Sequence, residues 1–177
     1  DAYGHETQFA YDEAGHLISM IDANGHERRI EYDANGRVTR RILPSGAAEQ
    51  SVYDAAGNRT QVVNANGQVI DFTYDAWRRL RSKALPDGPS VLLDYTAAGR
   101  RAEVQDDRGS TLYTYDDRGR LASIASPGGA AVQYARDPRG DVIQVASPAG
   151  ATAYGFDALG RMIQVTDANG GVTQYQY

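Results

Sequence analysis

The chain has no cysteine. That excludes a disulfide framework, a thiol nucleophile and a zinc–thiolate site. It has three histidines, His5, His16 and His26, and no P-loop, HExxH phrase or Ser-His-Asp order. His5 and His26 each follow a turn on the same side of the array, two strands apart, so a metal shared between them would have to bridge about 10 Å. The sequence therefore implies no metal and no cofactor. No run approaches the ~18 apolar residues of a membrane-spanning helix, and no charged-then-apolar leader opens the chain. Basic charge is also short: the formal net charge is −5, which argues against a nucleic-acid partner, since phosphate binding needs a basic face. Lys83 is the one lysine beside seventeen arginines, and Asp outnumbers Glu seventeen to six. Asp favours turns over helix interiors.

What is present is a phrase. It reads Tyr32-Asp33-Ala34-Asn35-Gly36-Arg37, and it recurs along the whole chain. Earlier and later copies are Tyr11-Asp12-Glu13-Ala14-Gly15-His16, Tyr53-Asp54-Ala55-Ala56-Gly57-Asn58 and Tyr74-Asp75-Ala76-Trp77-Arg78-Arg79. Then come Tyr95-Thr96-Ala97-Ala98-Gly99-Arg100, Tyr115-Asp116-Asp117-Arg118-Gly119-Arg120, Arg136-Asp137-Pro138-Arg139-Gly140-Asp141 and Phe156-Asp157-Ala158-Leu159-Gly160-Arg161. The period of 20 or 21 residues marks a repeat architecture. Midway through each repeat lies a second turn phrase, such as Asn64-Ala65-Asn66-Gly67 or Leu85-Pro86-Asp87-Gly88. Asp and Asn start such turns by bonding their own downstream backbone, Pro presets one dihedral, and Gly supplies positive φ.

Turns therefore end every ten or eleven residues from position 4 to position 170, with glycine at sixteen of the seventeen places and Arg78 at the other. About 6–7 residues remain between turns, a normal strand length that leaves no room for an ordinary helix. The fold expected is all-β: a long antiparallel meander of about sixteen short strands, hairpin after hairpin, curled or spiralling because open sheets this wide rarely stay flat. Before each phrase the apolar residues alternate, as in Ile70, Phe72 and Tyr74 or Val91, Leu93 and Tyr95. After it they fall three apart: Leu17 and Met20, Leu121 and Ile124, Val142 and Val145, Met162 and Val165. A β-bulge in the second strand would return each pair to one face; a strand apolar on both sides would also accommodate the spacing. Glutamines within the strands (Gln61, Gln133, Gln144, Gln164, Gln174) leave neither face a continuous apolar core.

The Tyr-Asp-x-x-Gly-Arg phrase, repeated eight times in register, resembles the YD repeat of the Rhs family. That family includes bacterial Rhs polymorphic toxins, the B and C components of Tc toxins, wall-associated proteins and teneurins. Thr96 for Asp, Arg78 for Gly and Arg136 for Tyr depart from the pattern, with Tyr134 two residues before Arg136 on the same face. The resemblance implies a segment of a hollow β-shell enclosing a C-terminal toxin domain, secreted or at the cell surface, without enzymatic activity of its own. Its partners would be other repeats of the parent shell and the enclosed domain. Unpaired end strands near 7–10 and 172–177 also allow edge-to-edge self-association. Residues 1–177 read as one array of about eight repeats with no internal boundary, cut from a larger protein. Asp137-Pro138-Arg139-Gly140 resembles the end of the self-cleaving segment of bacterial relatives, but repeats follow it, so it reads as a turn. An adhesion or carbohydrate-binding module is the other reading of the resemblance.

The motif residues themselves divide by role. Asp caps the turn, and Arg37, Arg120 or Arg161 opens the following strand within reach of the same or the neighbouring Asp. The tyrosine file (Tyr32, Tyr53, Tyr74, Tyr95, Tyr115) suits packing between strands, with carbohydrate or partner contact as the alternative. Asn58-Arg59-Thr60 matches a glycosylation sequon by composition alone.

Overall fold

The computed structural model describes residues 6–177. The turn expected at Gly4, and His5, lie outside the described residues. All regular structure within them is strand. The chain divides into two compact units, 1–90 and 91–177, with the division inside one strand.

The first unit contains β1 (Gln8–Tyr11), β2 (Leu17–Ile21), β3 (Glu27–Tyr32), β4 (Val38–Ile42), β5 (Ala48–Tyr53), β6 (Arg59–Val63), β7 (Val69–Tyr74) and β8 (Leu80–Leu85). Each pairs antiparallel with the next. The strand β9 (Gly88–Tyr95) runs into the second unit and pairs there with β10 (Arg101–Asp106). Next come β11 (Gly109–Tyr115), β12 (Leu121–Ala125), β13 (Ala131–Arg136), β14 (Val142–Ser147), β15 (Gly150–Phe156), β16 (Met162–Thr166) and β17 (Val172–Gln174). These continue the antiparallel meander. Seventeen strands stand where about sixteen are expected from turn spacing, because the short β1 and β17 both form.

The turns carry the backbone signature the glycines foretell. At Asp33, the peptide N–H bonds the Arg37 carbonyl at 2.9 Å and the Gly36 N–H returns to the Asp33 carbonyl at 3.0 Å. Gly36 sits at φ +73°, a conformation open to glycine at no steric cost. Arg78 holds the equivalent place at φ +64°, the sole non-glycine with positive φ among the described residues. Gly88 departs from the expectation. Its turn closes over Pro86 and Asp87 alone, and Gly88 already belongs to β9 without positive φ. A type I turn needs no left-handed residue at its last position.

The spacing puzzle resolves as bulges. Leu17 lies opposite Tyr11, Ser19 opposite Ala10 and Met20 opposite Phe9, so Ile18 is the extra residue and Leu17 and Met20 share a face. The same one-residue slip recurs in every Tyr-Asp hairpin, eight in all, always at the second residue of the returning strand. The mid-repeat hairpins pair without a slip. A bulge bends its strand and increases twist, so the insertion is confined to one border of each ladder.

Among the described residues Leu93 is the only buried hydrophobic side chain, at 8% exposure. Strands touch only their ladder neighbours within a unit. Cohesion therefore rests on backbone ladders and on side chains packed along the sheet, not on a closed core.

Candidate functional site

The candidate site is the border built by the Tyr-Asp phrases, and its parts are assembled locally. One carboxylate oxygen of Asp33 accepts the N–H groups of Asn35 (2.9 Å) and Arg37 (3.0 Å), while the other accepts Arg37 Nε at 2.7 Å. Asp116 does the same with Arg118, Arg120 and the Arg120 guanidinium, and Asp157 with Leu159, Arg161 and the Arg161 guanidinium. Asp75 accepts from Trp77 and from Arg79. Asp12 uses His16 in the Arg position, with Nδ1 at 2.9 Å, and Asp54 uses the Asn58 amide at 2.8 Å. The mid-repeat Asp22 repeats the arrangement with His26. At the fifth copy Thr96 Oγ1 replaces the carboxylate, accepting the Arg100 N–H at 3.1 Å.

The seventh copy solves the problem differently. Asp141 occupies the Arg position, and two carboxylates would face one another. Asp137 accepts the N–H groups of Gly140 and Asp141, and Arg139, two residues earlier, reaches both carboxylates at 3.3 and 3.4 Å. Compensation from a different turn position is not visible in the phrase itself.

These contacts hold the turn carboxyls below their usual range. For Asp33 the largest cause is the Arg37 peptide hydrogen bond, against partial burial and with the guanidinium adding to it. The peptide bond from His16 leads at Asp12, and the Asn58 amide at Asp54. Burial pushes Asp75 upward, but its hydrogen bonds from Arg79 and Trp77 outweigh that and the carboxyl ends low.

The tyrosines join one repeat to the one before it. Tyr32 Oη donates to the Leu17 carbonyl at 3.0 Å, Tyr53 to Val38 at 2.9 Å, Tyr74 to Arg59 at 2.9 Å and Tyr115 to Arg101 at 2.9 Å. Each acceptor is the strand residue just before the bulge. It lies beyond the last paired residue of the next ladder, which starts at Ser19, Arg40, Gln61 or Glu103. The hydroxyl thus satisfies a carbonyl that ladder pairing leaves over, the requirement on any partly buried peptide group. The sixth side chain of a phrase then covers the next ring: His16 stacks on Tyr32 at 4.7 Å, Arg37 lies 4.6 Å over Tyr53, and Arg100 5.7 Å over Tyr115. Arg37 also reaches the Asp54 carbonyl at 3.3 Å. Phe156 keeps the ring without the hydroxyl, and Arg136 directs a guanidinium nitrogen to the Gly140 carbonyl at 3.3 Å instead.

Within the first unit the border therefore links Tyr32, Asp33, Gly36 and Arg37 with their counterparts in the neighbouring copies. The described residues hold no group of three or more metal-ligating side chains; His16 and His26 each engage their own Asp. The tyrosine-to-carbonyl bond was not read from the sequence. Its signal was the bulge spacing, which frees a carbonyl at a fixed distance from the next Tyr.

Comparison with known proteins agrees with this geometry. The chain resembles the crystal structure of TcdB2-TccC3-Cdc42 with a TM-score of 0.71 at 17% identity, over 90% of this chain and 10% of that one. It resembles the crystal structure of TcdB2-TccC3 with a TM-score of 0.70 at 18% identity, with the same coverage. The Photorhabdus luminescens Tc holotoxin pore gives 0.65 at 17% identity, over 92% and 12%. The chain thus spans about a tenth of the solved chains it matches. No curated protein sequence matches it. The family model described as Teneurin YD-shell matches residues 1–177. The bulged hairpin recurs eight times along the matched length, and the chain belongs to the teneurin YD-shell family.

Proposed function

We propose that this chain is a stretch of wall in a β-shell that encloses the C-terminal toxin domain of a secreted bacterial toxin, and that it performs no catalysis. Residues 1–177 act in it as one uninterrupted array, continued by further repeats of the parent protein. The observation that carries this reading is the near absence of a core. With Leu93 alone buried among the described hydrophobic residues, the protein invests in ladders and borders. Such a sheet divides space. Family membership supports a structural shell role, and the likeness to TcdB2-TccC3 supports the fold.

The test is protease protection in the full parent polypeptide. The domain downstream of the repeats should resist cleavage while the repeats are intact, and should become sensitive when one 21-residue period is deleted. Equal cleavage rates in both forms would overturn the proposal. A second reading, contact with a surface glycan, is favoured by Trp77, which stands 76% exposed at a turn tip with Arg79 stacked 4.9 Å from its ring. Quenching of its fluorescence by sugar would support that reading; an unchanged spectrum in saturating sugar would remove it.

A further inference from the structure

The two faces of the first unit treat their charges differently. Directly opposed residues share a face, so Tyr32, Ile30, Arg28, Met20, Arg41 and Val38 lie together on one side. Glu31, Arg29, Glu27 and Arg40 lie on the other. On that other face the charges close on themselves. Arg29 pairs with Glu27 at 2.8 Å and Arg40 with Glu31 at 3.4 Å, and Ser19 and Gln61 hydrogen-bond Glu27 and Asp71.

On the tyrosine face the cations stay open. Arg28, Arg41, Arg59 and Lys83 make no ion pair among the described residues. Arg59 lies 5.7 Å from the Phe72 ring. The one anion on this face, Glu49, sits across the ladder from Arg41 without coming within ion-pairing distance. Arg28 and Arg41 are diagonal neighbours on adjacent strands, an arrangement that costs repulsion between like charges. Both border a hollow of about 250 Å³ whose remaining lining is Leu17, Met20, Arg29, Ile30, Ile42 and Leu43. The first unit thus keeps an excess of cations on one face of a chain whose net charge is −5.

We infer that the tyrosine face of the first unit, centred on Arg28 and Arg41, is a docking surface for an acidic, extended polypeptide segment. Guanidinium forks grip carboxylates bidentately and their stems pack on apolar neighbours. Diagonal residues on a sheet lie about 7–8 Å apart, close to the roughly 6.8 Å between alternate side chains of an extended strand. Acidic side chains at alternate positions would therefore meet both arginines, and a flanking apolar residue would fill the hollow. A polynucleotide fits poorly, because the chain as a whole repels it. The inference rests on the wall reading only in supposing that this face meets a polypeptide, and the two can fail separately. Protease protection tests enclosure, whereas peptide binding tests the face.

The experiment is fluorescence anisotropy of a labelled short peptide with alternating Glu and flanking Leu, titrated with the whole chain. The comparison peptide carries Lys in place of Glu. The acidic peptide should bind at least about tenfold more tightly than the basic one, with affinity falling as salt rises. The double variant Arg28→Glu/Arg41→Glu should lose about tenfold or more in affinity for the acidic peptide. Arg40→Gln, on the opposite face and outside the hollow, should leave binding unchanged, with β circular dichroism retained in all variants. If the double variant misfolds, Lys83→Glu with Arg59→Gln tests the same face from β8 and β6. Equal binding of both peptides, or full binding by folded charge-reversal variants, overturns the inference. So does tighter binding to phosphatidylglycerol vesicles than to the acidic peptide.

Discussion

Strands β1–β8 and strands β11–β17 obey the same border rules and differ almost completely between the borders. The first set carries eleven charged side chains, the second only Arg136. In place of charge, β11–β17 present Ala, Ser, Thr and Gln opposite one another, as in Ser123 with Gln133 and Gln144 with Ala153. The Asx turn, the positive-φ residue and the bulge persist in both. Geometry is thus fixed where the chain reverses, because turn and bulge satisfy backbone groups that side-chain identity elsewhere cannot reach. The strand faces are left free to take on different surface chemistry.

Acid should break both regions, and break the first further. The turn carboxyls of Asp12, Asp33, Asp54, Asp75, Asp116, Asp137 and Asp157 are lowered by folding from a usual 3.8. A lowered carboxyl contributes stability that is full above its unfolded value and lost as pH falls through its folded value. Stability should therefore be level above about pH 5 and fall steeply below about pH 4. Glu27, lowered chiefly by the Arg29 guanidinium, adds strand ion pairs to the loss in β3. Hydrogen exchange followed against pH should show β2–β4 losing protection before β12–β16; simultaneous loss would remove the distinction.

Backbone strain gives the next largest effect. Gly36 adopts φ +73°, and a Cβ there would approach His16 Nε2 to 2.9 Å. Gly36→Val should destabilise the first unit by roughly 1–3 kcal/mol. Arg78→Gly, at the equivalent position, should stabilise it by up to about 1 kcal/mol. Chemical denaturation measures both, and a neutral Gly36→Val would mean that the turn can rearrange.

The hydroxyl bond offers the finest test, since β3, β5, β7 and β11 make it and Phe156 in β15 has no hydroxyl to make it with. Tyr32→Phe should lose about 0.5–1.5 kcal/mol by orphaning the Leu17 carbonyl. Phe156→Tyr should gain a similar or smaller amount by reaching toward the strand that starts at Val142. Thermal melts of the pair would settle whether the bond adds stability or merely follows from the packing.

Much of this was legible in the residues. Gly, Asn and Asp at ten- and eleven-residue steps place every turn described, and Leu17 with Met20 announces the bulge. Gly88 misled because a two-residue turn and a longer one can both end in glycine. The Arg139 bridge between Asp137 and Asp141 was hidden because the phrase suggests that only its sixth residue can pair with the Asp. The open cations of the tyrosine face were equally hidden. Which side Arg41 takes depends on the slip at Thr39, which shifts the returning strand by one and brings Arg41 opposite Ile30, onto the face that Arg28 reaches by simple alternation.

The tyrosine hydroxyl reaches back 15 residues in β3, β5 and β7 and 14 in β11, always less than one period. A duplication of any whole period, beginning at any residue, therefore leaves every new hydroxyl with a carbonyl to receive it, whereas gaining half a period strands one. Length in such a protein can grow by copying without redesign at the joint. A genome can thus lengthen the sheet one segment at a time.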